Sequence, residues 1–386
     1  MISHFKKVSH FDKNSNFMKI MANAGVNWKE ILCAAETAMK KQEQIQQILQ
    51  GDGPLDNADT SFVVFGSLAR DEWTQGSDVD WTLLIDGQAN PEHLKIAQSI
   101  GKKLKDNNFP PPGPTGVFGN LSFSHEIIHQ IGGQNDTNRN TTQRILLILE
   151  SIPLGTPDMA FTRVISGVLD RYLEDDPSSE KLPRFLLNDV VRFWRTIAVD
   201  FASKQRDRGG QGWGLRNAKL RMSRKLVFAA GMLLCFNSRI HANAKQGESA
   251  SKPILEHLRK NYQVTPLEVV AGACAGLQES GVNTAKKIFS AYDAFLGILN
   301  DSAKRDSLKD LEAANADKMG FTRISAKLET NFSKVFPNFF LVRPTEILPR
   351  NMECFDASNW IFNWRPGARR LHPRIRTPQR GGAAER

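Results

Sequence analysis

Two groupings in the 386-residue chain have residue types and spacings suited to chemistry. The first is "FGSLARDEWTQGSDVDWTLLID", in which Gly66 and Ser67 end one apolar run and Asp78-Val79-Asp80 opens the next. Side chains alternate along an extended backbone, so Asp78 and Asp80 fall on one face, where two carboxylates raise each other's energy unless a cation lies between them. Oxygen donors without a neighbouring thiol select Mg2+ or Mn2+, and Mg2+ is commonly held by one or two carboxylates plus the phosphates of a substrate. Gly66 lets a backbone approach a triphosphate closely, and the Ser67 hydroxyl and the amides after it donate to phosphate oxygens. The second grouping is His125-Glu126-x-x-His129. On a helix, the i, i+4 spacing brings both imidazoles to one zinc ion with the glutamate as base, as in a zinc peptidase. Gly132 stands where the longer form of that motif has its glycine, but Asn135 stands where it has a third histidine. On a strand the same residues separate: Ser122, Ser124 and Glu126 share one face, and Phe123, His125 and Ile127 the other.

The elements around these residues follow from periodicity. "SFVVFGS" and "VDWTLLIDG" are short apolar runs that read as buried strands joined by a polar loop. A helical stretch runs from Pro91 to Lys105, "NNFPPPGPTG" is a loop because its prolines hold neither a helix nor an inner strand, and "VFGNLSFSHEI" returns as a third strand. "NTTQRILLILES" has the polar start and apolar face of a helix. Upstream, Ile31, Leu32, Ala35, Met39, Ile45 and Ile48 recur at helical spacing. Downstream, residues 184–336 are helical almost throughout, with "RDRGGQGWG" as the long interruption. The expected organisation is a helical leader (1–50), an α+β domain with a mixed sheet (51–176), an all-α domain (177–336) and an Arg-rich arm (337–386), with "EDDPSSEKLP" as linker.

Charge is concentrated rather than spread. The net charge is +10, and residues 192–225 hold ten Lys or Arg against Asp200 and Asp207. "GWGLRNAKLRMSRKLVFAAGMLLCF" reads as one helix on which Arg216, Lys219 and Arg224 share a side spread over roughly 140°, with Arg221 and Lys225 further round. The preceding helix adds Arg192, Arg195 and Lys204, and Trp194 and Trp213 are candidates to stack on a base. Such a balance favours polyanionic partners. Hydrophobic content of 40% excludes a wholly disordered chain. The longest apolar run, Leu226 to Phe236, is too short to cross a bilayer, and the amino terminus lacks the apolar stretch of a signal peptide, so a cytoplasmic protein without membrane insertion is expected. Cys33, Cys235, Cys274 and Cys354 lie far apart and are expected to be buried thiols.

The order apolar-Gly-Ser, about ten residues, Asp-x-Asp and an apolar strand resembles the signature of the DNA polymerase β-type nucleotidyltransferase superfamily. With a basic helical half behind it, the stretch of roughly residues 55–235 is similar to the nucleotidyltransferase part of PII-uridylyltransferases and related bacterial proteins. The resemblance implies two-metal phosphoryl transfer: Asp78 and Asp80 hold both ions, a third carboxylate serves the ion that activates the attacking hydroxyl, and pyrophosphate leaves a nucleoside triphosphate. Under the strand reading Glu126 takes the third place, with Asp136 next in line. A helical lysine neutralises the leaving group in similar proteins, which points to Lys219, then Arg216, or Arg221 if the helix presents its other side, with Arg195 in support. The implied acceptor is a hydroxyl of nucleic acid, of a nucleotide in the making of a signal (as in antiphage systems), or of a protein.

Overall fold

The computed structural model describes residues 7–50, 58–113, 117–155, 158–174, 182–207, 209–243, 251–262, 264–276 and 278–312. These belong to one compact unit, Met1–Phe332. The Arg-rich arm and Cys354 lie outside the described residues.

In chain order, α1 (Asn16–Asn23) and α2 (Lys29–Leu49) lead into β1 (Thr60–Phe65), the single turn α3 (Gly66–Ala69), β2 (Trp81–Ile85) and α4 (Glu92–Asp106). There follow β3 (Asn120–Phe123), α5 (Ser124–Ile128), α6 (Asn138–Leu149), β4 (Ser151–Pro153) and α7 (Met159–Glu174). The rest is helical: α8 (Arg184–Asp207), α9 (Trp213–Lys219), a π-helical turn (Leu220–Arg224), α10 (Lys225–Asn243), α11 (Ser251–Asn261), α12 (Pro266–Ala275), α13 (Gln278–Asn300) and α14 (Ser302–Lys309). This is an α+β arrangement with a mixed sheet followed by a helical region.

The sheet has the order β3-β2-β1-β4. β1 pairs antiparallel with β2, Val64 opposite Trp81, and with β4, Val64 opposite Ile152, while β3 runs parallel to β2. Every residue of β1 and β2 is buried, because α2 and α4 cover one face and α7 packs against both strands. That explains why these strands read as continuous apolar runs instead of alternating ones. Ala38, Ile45 and Leu49 of α2 join Phe62, Val64, Trp81, Ile100 and Leu104 in one core, so the leader helix packs as part of the sheet's own layer. Phe17 of α1 packs edge-on against Phe289 of α13, ring centroids 5.0 Å apart.

Two expectations change here. The third strand stops at Phe123, and Ser124–Ile128 coil into a helical turn, so the strand alternation that gave Glu126 a face does not extend to it. The helix of "NTTQRILLILES" ends at Leu149, after which Ser151–Pro153 add an edge strand. Arg144 of α6 is fully buried and donates to Asp136 (3.0 Å), Asp189 (2.8 Å) and the Tyr172 hydroxyl (2.7 Å), tying α6, α7 and α8 together. A buried guanidinium persists only when its donors are paired in this way. Cys235 and Cys274 are buried as expected, but Cys33 is exposed on α2. Among the described residues no helix is long and apolar enough to cross a membrane.

Candidate active site

β1 delivers the chain to Gly66, which turns with φ +69°. A Cβ there would stand 3.3 Å from Oδ2 of Asp80, so glycine serves both the left-handed turn and the close approach of a carboxylate. The ladder between β1 and β2 runs on past Trp81, because the Phe65 amide donates to the Asp80 carbonyl at 2.8 Å. Val79 is buried in the core and its amide donates to Pro110. Alternation then turns Asp78 and Asp80 the other way, into a cleft of about 500 Å3 whose lining includes Gly66 and Ser67.

The loop after the Gly-Ser turn is fixed from behind. Asp71, at φ +59°, accepts from the Ser9 hydroxyl (2.6 Å), the Gln42 amide (2.9 Å) and Lys7 (2.9 Å). Burial works to raise its carboxyl, but Lys7 and His10 beside it and the Ser9 hydrogen bond hold it below the ordinary range. Next to it, buried Arg70 pairs with Glu72 at 2.9 Å and with Glu150, and the Tyr292 hydroxyl donates to Glu72 at 2.8 Å.

Glu150 also lines the cleft, placed there by the turn from α6 into β4, as do Glu72 and Asp200. Glu126 is exposed on α5 and does not line the cleft. Asp136 is committed to Arg144 and to Arg192 (3.0 Å). The negative charge of the cleft shows in Asp80, whose carboxyl is pushed up to about 7 by burial first and then by Asp78 and Glu150, against the pull of Lys219 and Arg224.

Lys219 and Arg224 face these carboxylates. In a regular α-helix, residues five apart diverge by roughly 140°. The π-helical turn that follows Lys219, Leu220–Arg224, is wound more widely, which brings such residues closer to one side. Burial lowers Lys219 below its usual range, Asp78 opposes this, and Arg305, Arg224 and Arg70 add to it. Burial likewise lowers Arg224, with Asp200 and Glu150 opposing. Two half-buried cations lining the same cleft form a site for a polyanion. Beyond them the cleft has an apolar wall of Phe193, Ile197, Phe295 and Leu299, with Lys204 at the edge held by Asp200 at 2.8 Å.

Other expected contacts fall elsewhere. Arg216, Arg221 and Arg195 do not line the cleft; Arg221 donates to Asn217 at 3.2 Å and Arg195 is exposed on α8. Trp194 stacks on Phe228, centroids 5.2 Å apart, as a packing residue. His125 and His129 lie with ring centroids 5.3 Å apart on α5 and its cap, the helical geometry a zinc motif needs. No set of three or more His, Cys, Asp or Glu side chains among the described residues is grouped to hold a metal, so this pair has no third ligand there. Arg70 and Glu150 were not expected in the cleft; Lys219 was, and Arg224 carried a signal in its place on the same side of the basic helix.

A four-stranded mixed sheet with its carboxylate pair at the mouth of β2, followed by helices, is the architecture of a nucleotidyltransferase fold. Residues 43–110 match the family described as a nucleotidyltransferase domain, a span from the end of α2 through the Gly-Ser turn and the Asp-x-Asp segment to Pro110. That domain supports transfer of a nucleoside monophosphate, with a nucleoside triphosphate as substrate. No curated protein matches the chain.

Proposed function

We propose that the chain is a metal-dependent nucleotidyltransferase that moves an NMP or dNMP from a nucleoside triphosphate to a hydroxyl acceptor. The observation that carries this reading is the meeting, in one cleft, of Asp78 and Asp80 with Lys219 and Arg224. A divalent cation fits the carboxylate side, since burial and then the neighbouring Asp78 and Glu150 raise Asp80 and the donors are all oxygen, which favours Mg2+ or Mn2+. With two ready carboxylates, the remaining positions on the ion fall to substrate phosphates and water. When bound, the ion screens the phosphate charge and polarises the phosphoryl oxygens.

The chain's own residues do the rest. The Gly66-Ser67 turn and Lys219 and Arg224 orient the triphosphate, and the apolar wall of Phe193 and Phe295 accepts the base. The acceptor oxygen forms a bond to the α-phosphorus as the bond from that phosphorus to the bridging oxygen breaks. The hydroxyl proton passes to Glu150, which Arg70 holds in place, and pyrophosphate departs against Lys219 and Arg224. The net charge of +10 favours a nucleic-acid or nucleotide acceptor over a protein. The test is incubation of the full chain with each labelled NTP and dNTP and Mg2+ or Mn2+, with RNA, DNA and protein acceptors. Transfer by wild type that is lost in Asp78→Asn/Asp80→Asn supports the reading; identical behaviour of the two chains ends it.

A further inference from the structure

The segment between the Gly-Ser turn and the Asp-x-Asp pair spans residues 68–77, and its far end is held by residues more than 200 positions away. Four bonds join it to the carboxy-terminal end of the helical region. The Tyr292 hydroxyl of α13 donates to Glu72 at 2.8 Å, and Asn300, which ends α13, accepts from the Gln75 amide at 3.3 Å. Arg305 of α14 spreads its guanidinium under the loop, donating through one nitrogen to the Gln75 carbonyl and through the other to the Gly76 carbonyl at 2.6 Å. Gly76 sits at φ +73°, and a Cβ there would come within 3.0 Å of the Arg305 guanidinium carbon. The turn and the arginine therefore fit face to face. Two residues later the chain reaches Asp78, whose charge acts on Arg305.

We infer that Arg305, with Asn300 and Tyr292, is a positioning clamp that fixes the loop so that Asp78 enters the cleft at the angle its role requires. The inference rests on the proposed role of Asp78 in transfer, and it gives α14 a function beyond packing. A planar fork with several donors in fixed directions meets two successive carbonyls; an ammonium on a flexible stem cannot reproduce that geometry. Leu68 and Trp73 pack the near part of the loop into the core, whereas Gln75 and Gly76 are exposed, and it is there that Arg305 and Asn300 supply the contacts.

Hydrogen exchange on the ligand-free full chain reads the clamp directly. In Arg305→Lys, which keeps the charge but loses the fork, amides of residues 74–78 are expected to exchange at least about tenfold faster, the effect of losing a hydrogen bond to a charged donor. Amides of α13 from Phe289 to Phe295 keep wild-type rates. With a non-hydrolysable triphosphate present, the half-saturating Mn2+ concentration of the same variant rises about 10- to 100-fold, as for loss of a residue that orients a ligand. Gly76→Ala reproduces both effects with Arg305 intact, and with Asn300→Ala it carries the test if Arg305→Lys does not fold. Unchanged exchange at 74–78, or an equal acceleration across the chain, overturns the clamp. Selective loosening of the loop in a chain that transfers no nucleotide upholds the clamp and refutes the transfer reading instead, so the two failures are told apart.

Discussion

Gly66 and Gly132 allow a controlled perturbation. Both sit at nearly the same backbone angle, φ +69° and +70°, but a Cβ on Gly66 meets Asp80 at 3.3 Å whereas one on Gly132 meets nothing within 4 Å. Alanine at either position pays the left-handed strain of an L-residue, about 1–2 kcal/mol. At roughly 2–4 °C per kcal/mol for domains of about 150–250 residues, and less for a larger unit, each variant loses a few degrees of Tm. The added contact in Gly66→Ala is tighter than a Cβ normally accepts, so the Asp80 carboxylate shifts by a few tenths of an ångström, and misplacement on the scale of 1 Å at a reacting centre costs about 100-fold in rate. The expected pattern is two variants of similar Tm, one with near-normal transfer and one, Gly66→Ala, slowed tenfold or more. Thermal unfolding and a single-turnover transfer assay on both chains supply the comparison. Equal activity in the two variants would show that Asp80 does not need the space Gly66 leaves, and the geometry argued for the cleft would be wrong.

Three further outcomes follow from the same contacts. Glu150→Gln slows transfer by about 10²- to 10⁴-fold, the usual contribution of a general base, while Glu126→Gln leaves it unchanged; the reverse result restores Glu126 as the third carboxylate. Lys219→Met and Arg224→Met each raise the KM for the triphosphate by about 10- to 100-fold, measured with saturating acceptor, whereas Arg195→Met does not. Stability falls in mild acid through His10, which burial lowers from 6.5 to about 4, against the pull of Asp71. Above 6.5 both folded and unfolded chains hold it neutral; between 6.5 and about 4 only the unfolded chain takes up the proton, so up to about 3 kcal/mol is lost as the pH falls through that window. Urea midpoints from pH 7.5 to 4.5 in wild type and His10→Gln test this, and parallel curves would count against it.

The positions of the Gly-Ser turn and the aspartates were legible because strand, turn and strand lie within twenty residues and announce themselves by composition. Helical periodicity marked α2, α4, α6 and the second half equally well. The place of Glu150 in the cleft was not legible for a physical reason. β4 is three residues long and ends in proline, so its sequence reads as the frayed end of α6, and its strand character comes from pairing with β1, a tertiary contact. The 3.6-residue period put Lys219 and Arg224 on one side of the basic helix, but the π-helical turn between them is not foreseeable from that period. Arg305 gave no local signal at all, since its carbonyl partners are some 230 residues earlier in the chain.

The span that matches the nucleotidyltransferase family, residues 43–110, holds two of the four strands and none of Glu150, Lys219, Arg224 or Tyr292. Cut out as a fragment, it would show water the faces of Phe62, Val63 and Leu83 that α7 and most of α2 now cover, and would bring its aspartates together with nothing to oppose them. The smallest piece of this chain that holds both its core and its whole cleft is therefore far larger than its recognisable signature.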